Sequence, residues 1–492
     1  MRSRARSVFT TESRLGAGPV VRSGAVAAYR SVAELEGEPH LVRGELVGSS
    51  PHDVEVGAAG TIASFVHITD LHVTDAQSPA RFEFVNREWQ DPRFRELLTM
   101  QRPHETLNML AIDALVRTIN DIDAAPLTHS PLQLVAMTGD AIDNTQHNEL
   151  ANFLALMNGG MVRPDSGRPG YEGVQLPGWP ADYVWKPDGP EDADQFQRLL
   201  GFPRHPGLIE RAMTEFQAQG LRLPWLGCYG NHEQVCQGVG VVTPALAEGM
   251  RGSRKPIELS AGIDRDRAVE IFVTEPERFM SGPSLDVAGD LDRRPISRHE
   301  FAAALGRETH HVHDVGPVRF ITLDTVCDAG GADGTIDVPQ LRWLEDRLAE
   351  AGDRHVVVLS HHGYDTLSNP RGERRADQLL DLLLRSPNVV LWLNGHIHAN
   401  RVTPRGNPGE GTGFWEVTTA SLVDWPCQAR IVEIFETGSG QLAIGCTMLD
   451  HDEEGLAGLH RELAGNVPFN DFDSWRPGRP QDRNVLLLLP RR

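Results

Sequence analysis

Apolar positions along this chain follow two alternating rhythms. Short continuous runs of β-branched and aliphatic residues recur at 61–68 (TIASFVHI), 132–138 (LQLVAMT), 223–229, 318–323, 355–360, 389–394, 414–419, 429–435 and 441–448. Such runs, bounded by turn residues, predict strands buried on both faces. Helical spacing separates several of them. Over 104–123, Leu107, Leu110, Ala111, Ala114, Leu115 and Ile119 share one stripe while Arg117 and Asn120 fall off it, and similar patterns occupy 340–351 and 376–385. Strands alternating with helices predict an α/β fold whose functional loops sit at strand ends.

Two gaps interrupt the alternation, at about 145–222 and 237–309. The first is rich in Pro and Gly and carries Tyr171, Trp179, Tyr183 and Trp185; the second has one helical stretch around 267–280. Structureless loops of that length are uncommon, so both are expected to be inserts or lids within one catalytic domain spanning 61–450. Residues 1–60 show no long period and are read as an N-terminal extension. The polar, Pro-rich 451–492 segment, ending VLLLLPRR, is expected to be a C-terminal tail on the surface.

Composition narrows the function classes. The 47 basic and 68 acidic residues among 492 leave a net charge of −21, which argues against general nucleic-acid binding through a basic surface. No apolar run approaches the ~18–20 residues of a membrane span. Five cysteines without a CxxC pair do not make a disulfide framework; they are expected to be buried, with a Cys228–Cys236 link as the alternative. Arg-Ser-Arg-Ala-Arg at 2–6 is not followed by an apolar stretch, so a cytoplasmic protein is expected.

The chemistry lies immediately after the strand-like runs. They lead into Asp70-Leu71-His72, Gly139-Asp140-Ala141-Ile142-Asp143-Asn144, Gly230-Asn231-His232-Glu233, His361-His362-Gly363 and Gly395-His396-Ile397-His398. Each piece alone is commonplace, since a strand-end histidine is usually a surface or hydrogen-bonded residue and Gly-Asp is usually a turn. Five pieces in order supply carboxylates, an amide oxygen and several imidazoles. That mixed oxygen and nitrogen set suits two divalent or trivalent transition-metal ions such as Mn, Fe, Zn or Co.

This order of motifs resembles the calcineurin-like metallophosphoesterases, whose pattern is DxH, GDxxD, GNHD/E, H and GHxH. DLHVTDAQSPAR and WEVTTASLVDWP look like a bacterial subgroup with long inserts between the motifs. The resemblance implies a four-layer αββα sandwich of two mixed sheets flanked by helices. It also implies one metal on Asp70, His72, Asp140 and His398, and a second on Asp140, Asn231, His361 and His396. It further implies that a metal-bridging hydroxide attacks phosphorus in line, and that His232 protonates the leaving alkoxide. Glu233 would orient that imidazole and Asp143 would accept a hydrogen bond behind the ligands. Between the neighbours His361 and His362, the strand-end His361 is expected to be the ligand and His362 to face substrate or solvent.

Other features have plainer readings. Arg81 could clamp a phosphate oxygen or make an ordinary ion pair. His310, His311 and His313 lack a partnering carboxylate motif and are read as structural. Trp179 and Trp185 are read as lid packing ahead of base stacking. No GxxxxGK[ST] occurs. The expected activity is hydrolysis of a small phosphate ester, with diesters favoured over monoesters for want of a second basic cluster. Rival readings are a nucleotide or pyrophosphate hydrolase of the same fold and a metal-binding scaffold without catalysis.

Overall fold

In the computed structural model, which describes residues 6–47, 58–406, 412–438, 440–452 and 454–489, two mixed sheets lie face to face. The seven-stranded sheet runs in the order Leu41–Arg43, Val485–Leu488, Leu442–Asp450, Gln428–Thr437, Ala58–Ile68, Val135–Met137, Trp225–Gly227. The six-stranded sheet runs His311–Val315, Val318–Thr322, His355–Leu359, Val389–Asn394, Phe414–Thr418, Arg401–Arg405.

Side-chain alternation explains the layers. Along Ala58–Ile68, Ala63 and Phe65 enter the core between the sheets, while Val66 and Ile68 face outward. Along His355–Leu359, Val357 and Leu359 point inward and Val356 and Val358 outward. The two inner faces meet at Phe65 and Phe320, edge to face at 5.2 Å. The helix Asn108–Asn120 covers the outer face of the first sheet through Ile112, Leu115, Val116 and Ile119. The helices Val338–Ala349 and Ala376–Arg385 cover the second through Leu344, Leu348, Leu379 and Leu383. Asp337 caps the former by accepting from the Gln340 N–H. The result is the expected mixed α/β sandwich with helices on both outer faces.

Within each sheet the motif-bearing strands are parallel, so their carboxyl ends point one way. Pairing continues past the strand ends: Asp70 N–H donates to the Gly139 carbonyl (3.1 Å) and His72 N–H to the Asp140 carbonyl (3.0 Å). Two loops that would otherwise be free are thereby fixed against each other.

The chain termini depart from expectation. The C-terminal leucine run is no surface tail. Val485–Leu488 is an inner strand, buried throughout, that pairs with Leu442–Asp450 on one side and Leu41–Arg43 on the other. The physical reason is its four consecutive apolar residues, which the sheet can bury on both faces. At the other end, Ser13–Ser23 and Ala28–Glu36 form an antiparallel hairpin where sequence showed no period. Most of the Arg-rich stretch at 2–6, and residues 490–492, lie outside the described residues.

The inserts are folded. In the first, Trp185 is fully buried and donates to the Pro203 carbonyl (3.1 Å), and Trp179 packs with Val174, Val184 and Val287. In the second, Phe272 and Phe279 pack on Phe82. His311 and His313 lie in a hairpin strand, and His310 meets Trp343 edge to face at 4.8 Å. All five cysteines are free and buried, so Cys228 and Cys236 are not linked. Among the described residues no helix is long and apolar enough to cross a membrane.

Candidate metal centre

The strand-end loops of both sheets converge on one cluster. Asp70, His72, Asp140 and His398 place donor atoms within 4.8 Å of one another, and all four side chains are buried. The His398 Nε2 lies 3.2 Å from Asp70 Oδ1 and 3.1 Å from His72 Nε2, joining loops from opposite sheets. Beside them, His361 Nε2 stands 3.2 Å from Asp140 Oδ2 and 2.9 Å from Asn231 Oδ1, and His396 Nδ1 is 3.1 Å from that same amide oxygen. Asp140 thus touches both groups.

Hydrogen bonds behind the cluster determine which nitrogens face inward. His72 Nδ1 meets Asp143 Oδ1 (2.9 Å), His361 Nδ1 the Thr138 carbonyl (2.7 Å) and His398 Nδ1 Asp424 Oδ2 (2.7 Å). A carboxylate or carbonyl can only accept, so each Nδ1 carries the proton and each neutral imidazole turns the Nε2 lone pair inward. Lone pairs of His72 and His398 then face each other, and that of His361 faces an amide oxygen. Acceptors this close repel unless a proton or a metal cation lies between them, and the adjoining carboxylates favour either. The donor set therefore fits metal ions, held by oxygen and nitrogen ligands with accepting groups behind the imidazoles.

Electrostatics point the same way. Burial opposes protonation of His361, yet the Asp140 and Asp70 carboxylates outweigh it and push its pKa up to about 9. His398 is raised likewise, against burial, by Asp70 and Asp424. Burial alone would raise the Asp70 carboxyl, but His398 and His361 hold it at about 2. The cluster is rich in negative charge and stabilises positive charge. Its backbone is strained as well: Asp70, His72, Asp140, His396 and His398 all have φ between 49° and 69°, a left-handed conformation uncommon outside glycine.

The remaining candidates divide. His232 lies at the rim with 16% of its side chain exposed; its Nδ1 pairs with Asp143 Oδ1 (3.0 Å) and its Nε2 is 4.0 Å from Asp140 Oδ2. Asp143 thus accepts from His72 and His232 together. Glu233 does not orient His232, contrary to expectation. Its carboxylate instead accepts the backbone N–H groups of Gly230, Asp140, Ala141 and Ile142, tying the Asp140 and Asn231 loops together. A carboxylate placed among converging N–H groups is held there, away from the imidazole.

Arg81 is not a phosphate clamp either. It is 1% exposed, donates to Asp143, and pairs with Glu105 (2.8 Å). Its guanidinium secures the acceptor of the two histidines. His362, expected to face substrate or solvent, is buried between the Thr325 hydroxyl (2.9 Å) and the Ala332 carbonyl (2.9 Å). Sequence reading missed Asp424, which orients His398 and is itself gripped by Arg102 (2.8 and 3.2 Å). Its one available signal was an acidic residue in the apolar ASLVDWP segment after a strand.

Comparison with known proteins places these residues in context. Residues 192–400 match the family model described as calcineurin-like phosphoesterase, a span that takes in Asn231, His232, His361, His396 and His398. A probable cyclic nucleotide phosphodiesterase of Synechococcus sp. (strain WH7803) is 33% identical over 162 residues, covering 28% of this chain and 59% of that protein. A 3′,5′-cyclic adenosine monophosphate phosphodiesterase of Pseudomonas aeruginosa is 32% identical over 133 residues, covering 26% and 47%. The chain therefore spans about half the length of these curated relatives. A solved dimetal phosphatase from Danio rerio aligns over 80% of this chain and 99% of its own, at 12% identity and a TM-score of 0.38.

Proposed function

We infer that this chain, which belongs to the calcineurin-like phosphoesterases, hydrolyses small phosphate esters at the strand-end cluster and favours diesters. The observation that carries the reading is the convergence of carboxylates, an amide oxygen and imidazole Nε2 atoms from both sheets within ligand distance of one another, with accepting groups behind His72, His361 and His398. Asp70, His72, Asp140 and His398 would hold one cation, and Asp140, Asn231, His361 and His396 a second. Bound there, two such ions supply Lewis-acid activation of water and of the phosphoryl group at neutral pH.

The chain's own residues would do the rest. Asp143, Thr138 and Asp424 fix the imidazoles by their Nδ1 protons. His232, at the rim and anchored through Nδ1, keeps its Nε2 for a proton passed to the departing alkoxide.

A diester preference has its own support. The arginines nearest the cluster are engaged: Arg81 by Asp143 and Glu105, Arg102 by Asp424, and Arg476 by the Ile397 carbonyl (3.2 Å). That leaves little spare positive charge for a monoester dianion, and two relatives are named as phosphodiesterases. A cytoplasmic setting is part of the proposal, supported by five free cysteines.

The test is a paired assay on bis(p-nitrophenyl) phosphate and p-nitrophenyl phosphate with Mn, Fe, Zn or Co supplied. Hydrolysis of the diester ahead of the monoester, abolished by chelation, is expected. Hydrolysis of neither, with close to two metal ions bound per chain, would instead favour a metal-binding scaffold.

A further inference from the structure

Of the four imidazoles assigned to the two cations, His72, His361 and His398 each present Nε2 inward and rest Nδ1 on an acceptor. His396 is turned the other way round. Its Nδ1 lies 3.1 Å from Asn231 Oδ1, and its Nε2 lies 3.7 Å from Asp333 Oδ1. The Asn231 amide nitrogen donates to the Gly238 carbonyl (3.4 Å), so its oxygen is the atom that faces the imidazoles. A neutral ring has one N–H and cannot serve both neighbours, each of which can only accept. A metal cation or a second proton at Nδ1 removes the conflict. In either case Nε2 carries a proton towards Asp333.

Asp333 is held in place by groups outside the cluster. The Ser368 hydroxyl donates to Asp333 Oδ2 (2.5 Å), which leaves Oδ1 for His396. Asn369, buried, donates its side-chain N–H groups to the Gly330 and Asp333 carbonyls (3.1 and 2.5 Å). His362 completes the hold: its Nε2 donates to the Ala332 carbonyl (2.9 Å), and a Cβ on Gly334 would overlap its ring. The second histidine of the His361-His362 pair thus fixes residues 332–334 against the strand-end loop that carries His361. Asp333 differs from the other orienting carboxylates in one respect. Its side chain is 43% exposed, against 1% for Asp143 and Asp424, so it can shorten the distance to His396 with little repacking.

We propose that Asp333 is a positioning residue for the second cation: it accepts the Nε2 proton of His396 and keeps the Nδ1 lone pair turned to the metal side. The proposal rests on the two-cation reading above and extends it to a residue outside the five motifs. Metal-bound imidazoles regularly lean on a carboxylate in this way, and removing it typically weakens binding about 10- to 100-fold.

Zinc titration of the chelator-treated chain by calorimetry, compared between wild type and Asp333→Asn, tests this role. Asparagine can still accept from Ser368, but it turns an amide N–H towards His396, where an acceptor is needed. The wild type should bind two ions. Asp333→Asn should weaken one of them about tenfold or more, while the other ion and the urea midpoint of the metal-free protein stay as they were. In the zinc-loaded wild type, imidazole NMR should place the His396 proton on Nε2. Unchanged affinity for both ions in the variant, equal weakening of both, weakening with a lowered urea midpoint, or a His396 proton on Nδ1 would overturn the proposal and leave the two-cation reading standing. Fewer than two ions on the wild type would overturn both.

Discussion

Removing the His232 imidazole takes away a group that touches Asp143 and approaches Asp140 without closing the ring of inward lone pairs. His232→Ala is therefore expected to lower turnover of an alkyl leaving group by about 100-fold or more, with metal content near that of the wild type. Elemental analysis beside the kinetics checks both halves, and loss of metal along with activity would make His232 a ligand instead. Arg81 tests the opposite kind of role. Arg81→Met leaves Asp143 and Glu105 buried without their cation, and breaking such a pair costs about 3–5 kcal/mol. A large fall in the urea midpoint is expected; a raised KM at unchanged stability would restore the phosphate-clamp reading. The Arg81 role was not readable from residue type, because the partners that define it lie 24 and 62 positions along the chain.

The elements place ligands by ending strands abruptly. Five cluster residues adopt left-handed backbone conformations, and glycines beside them make room for their side chains. A Cβ at Gly395 would overlap the Thr69 hydroxyl and the Asp70 carboxylate, and one at Gly139, where φ is +95°, would press on the His361 ring. Gly395→Ala is thus expected to displace Asp70 and lose metal although no donor atom has changed, a result that equilibrium dialysis with Mn or Zn would show. Unaltered metal binding would mean that the loop yields at small cost. The glycines were legible in sequence as part of GD, GN and GH pairs. What they accommodate was not, since His361 and Asp70 reach them from other strands.

Over the whole molecule, burial of neutral histidines links stability to pH. His67, fully buried between the hydroxyls of Thr138 and Thr419, has its pKa lowered to about 3 by burial, then by Arg430. His104 is lowered to about 4, again chiefly by burial. Both folded-state values lie below the ordinary 6.5, so their contribution is complete above pH 6.5 and is lost as pH falls towards 4. Within that window each costs about 1.4 kcal/mol per pH unit. Imidazole NMR signals of chelator-treated protein should remain those of the neutral ring down to about pH 5, and titration of either ring near the ordinary 6.5 would mean that it is charged when folded. The net charge of −21 acts at the same scale: it disfavours polyanions broadly, while two bound cations can still make one cleft attractive to a small phosphate.

What the sequence by itself determined was periodic or local. Buried-strand runs at 355–360 and 389–394 became His355–Leu359 and Val389–Asn394, because a two-sided apolar run has few other ways to leave water. Metal-type donors at those strand ends were visible for the same reason, as polar residues held at fixed offsets from apolar ones. Tertiary structure decided which polar groups meet. Glu233 went to four backbone amides, Asp424 came up behind His398, and the terminal leucines entered the sheet. Each outcome depends on a partner distant in sequence, and a single chain read in order records the donors and acceptors but not their pairing.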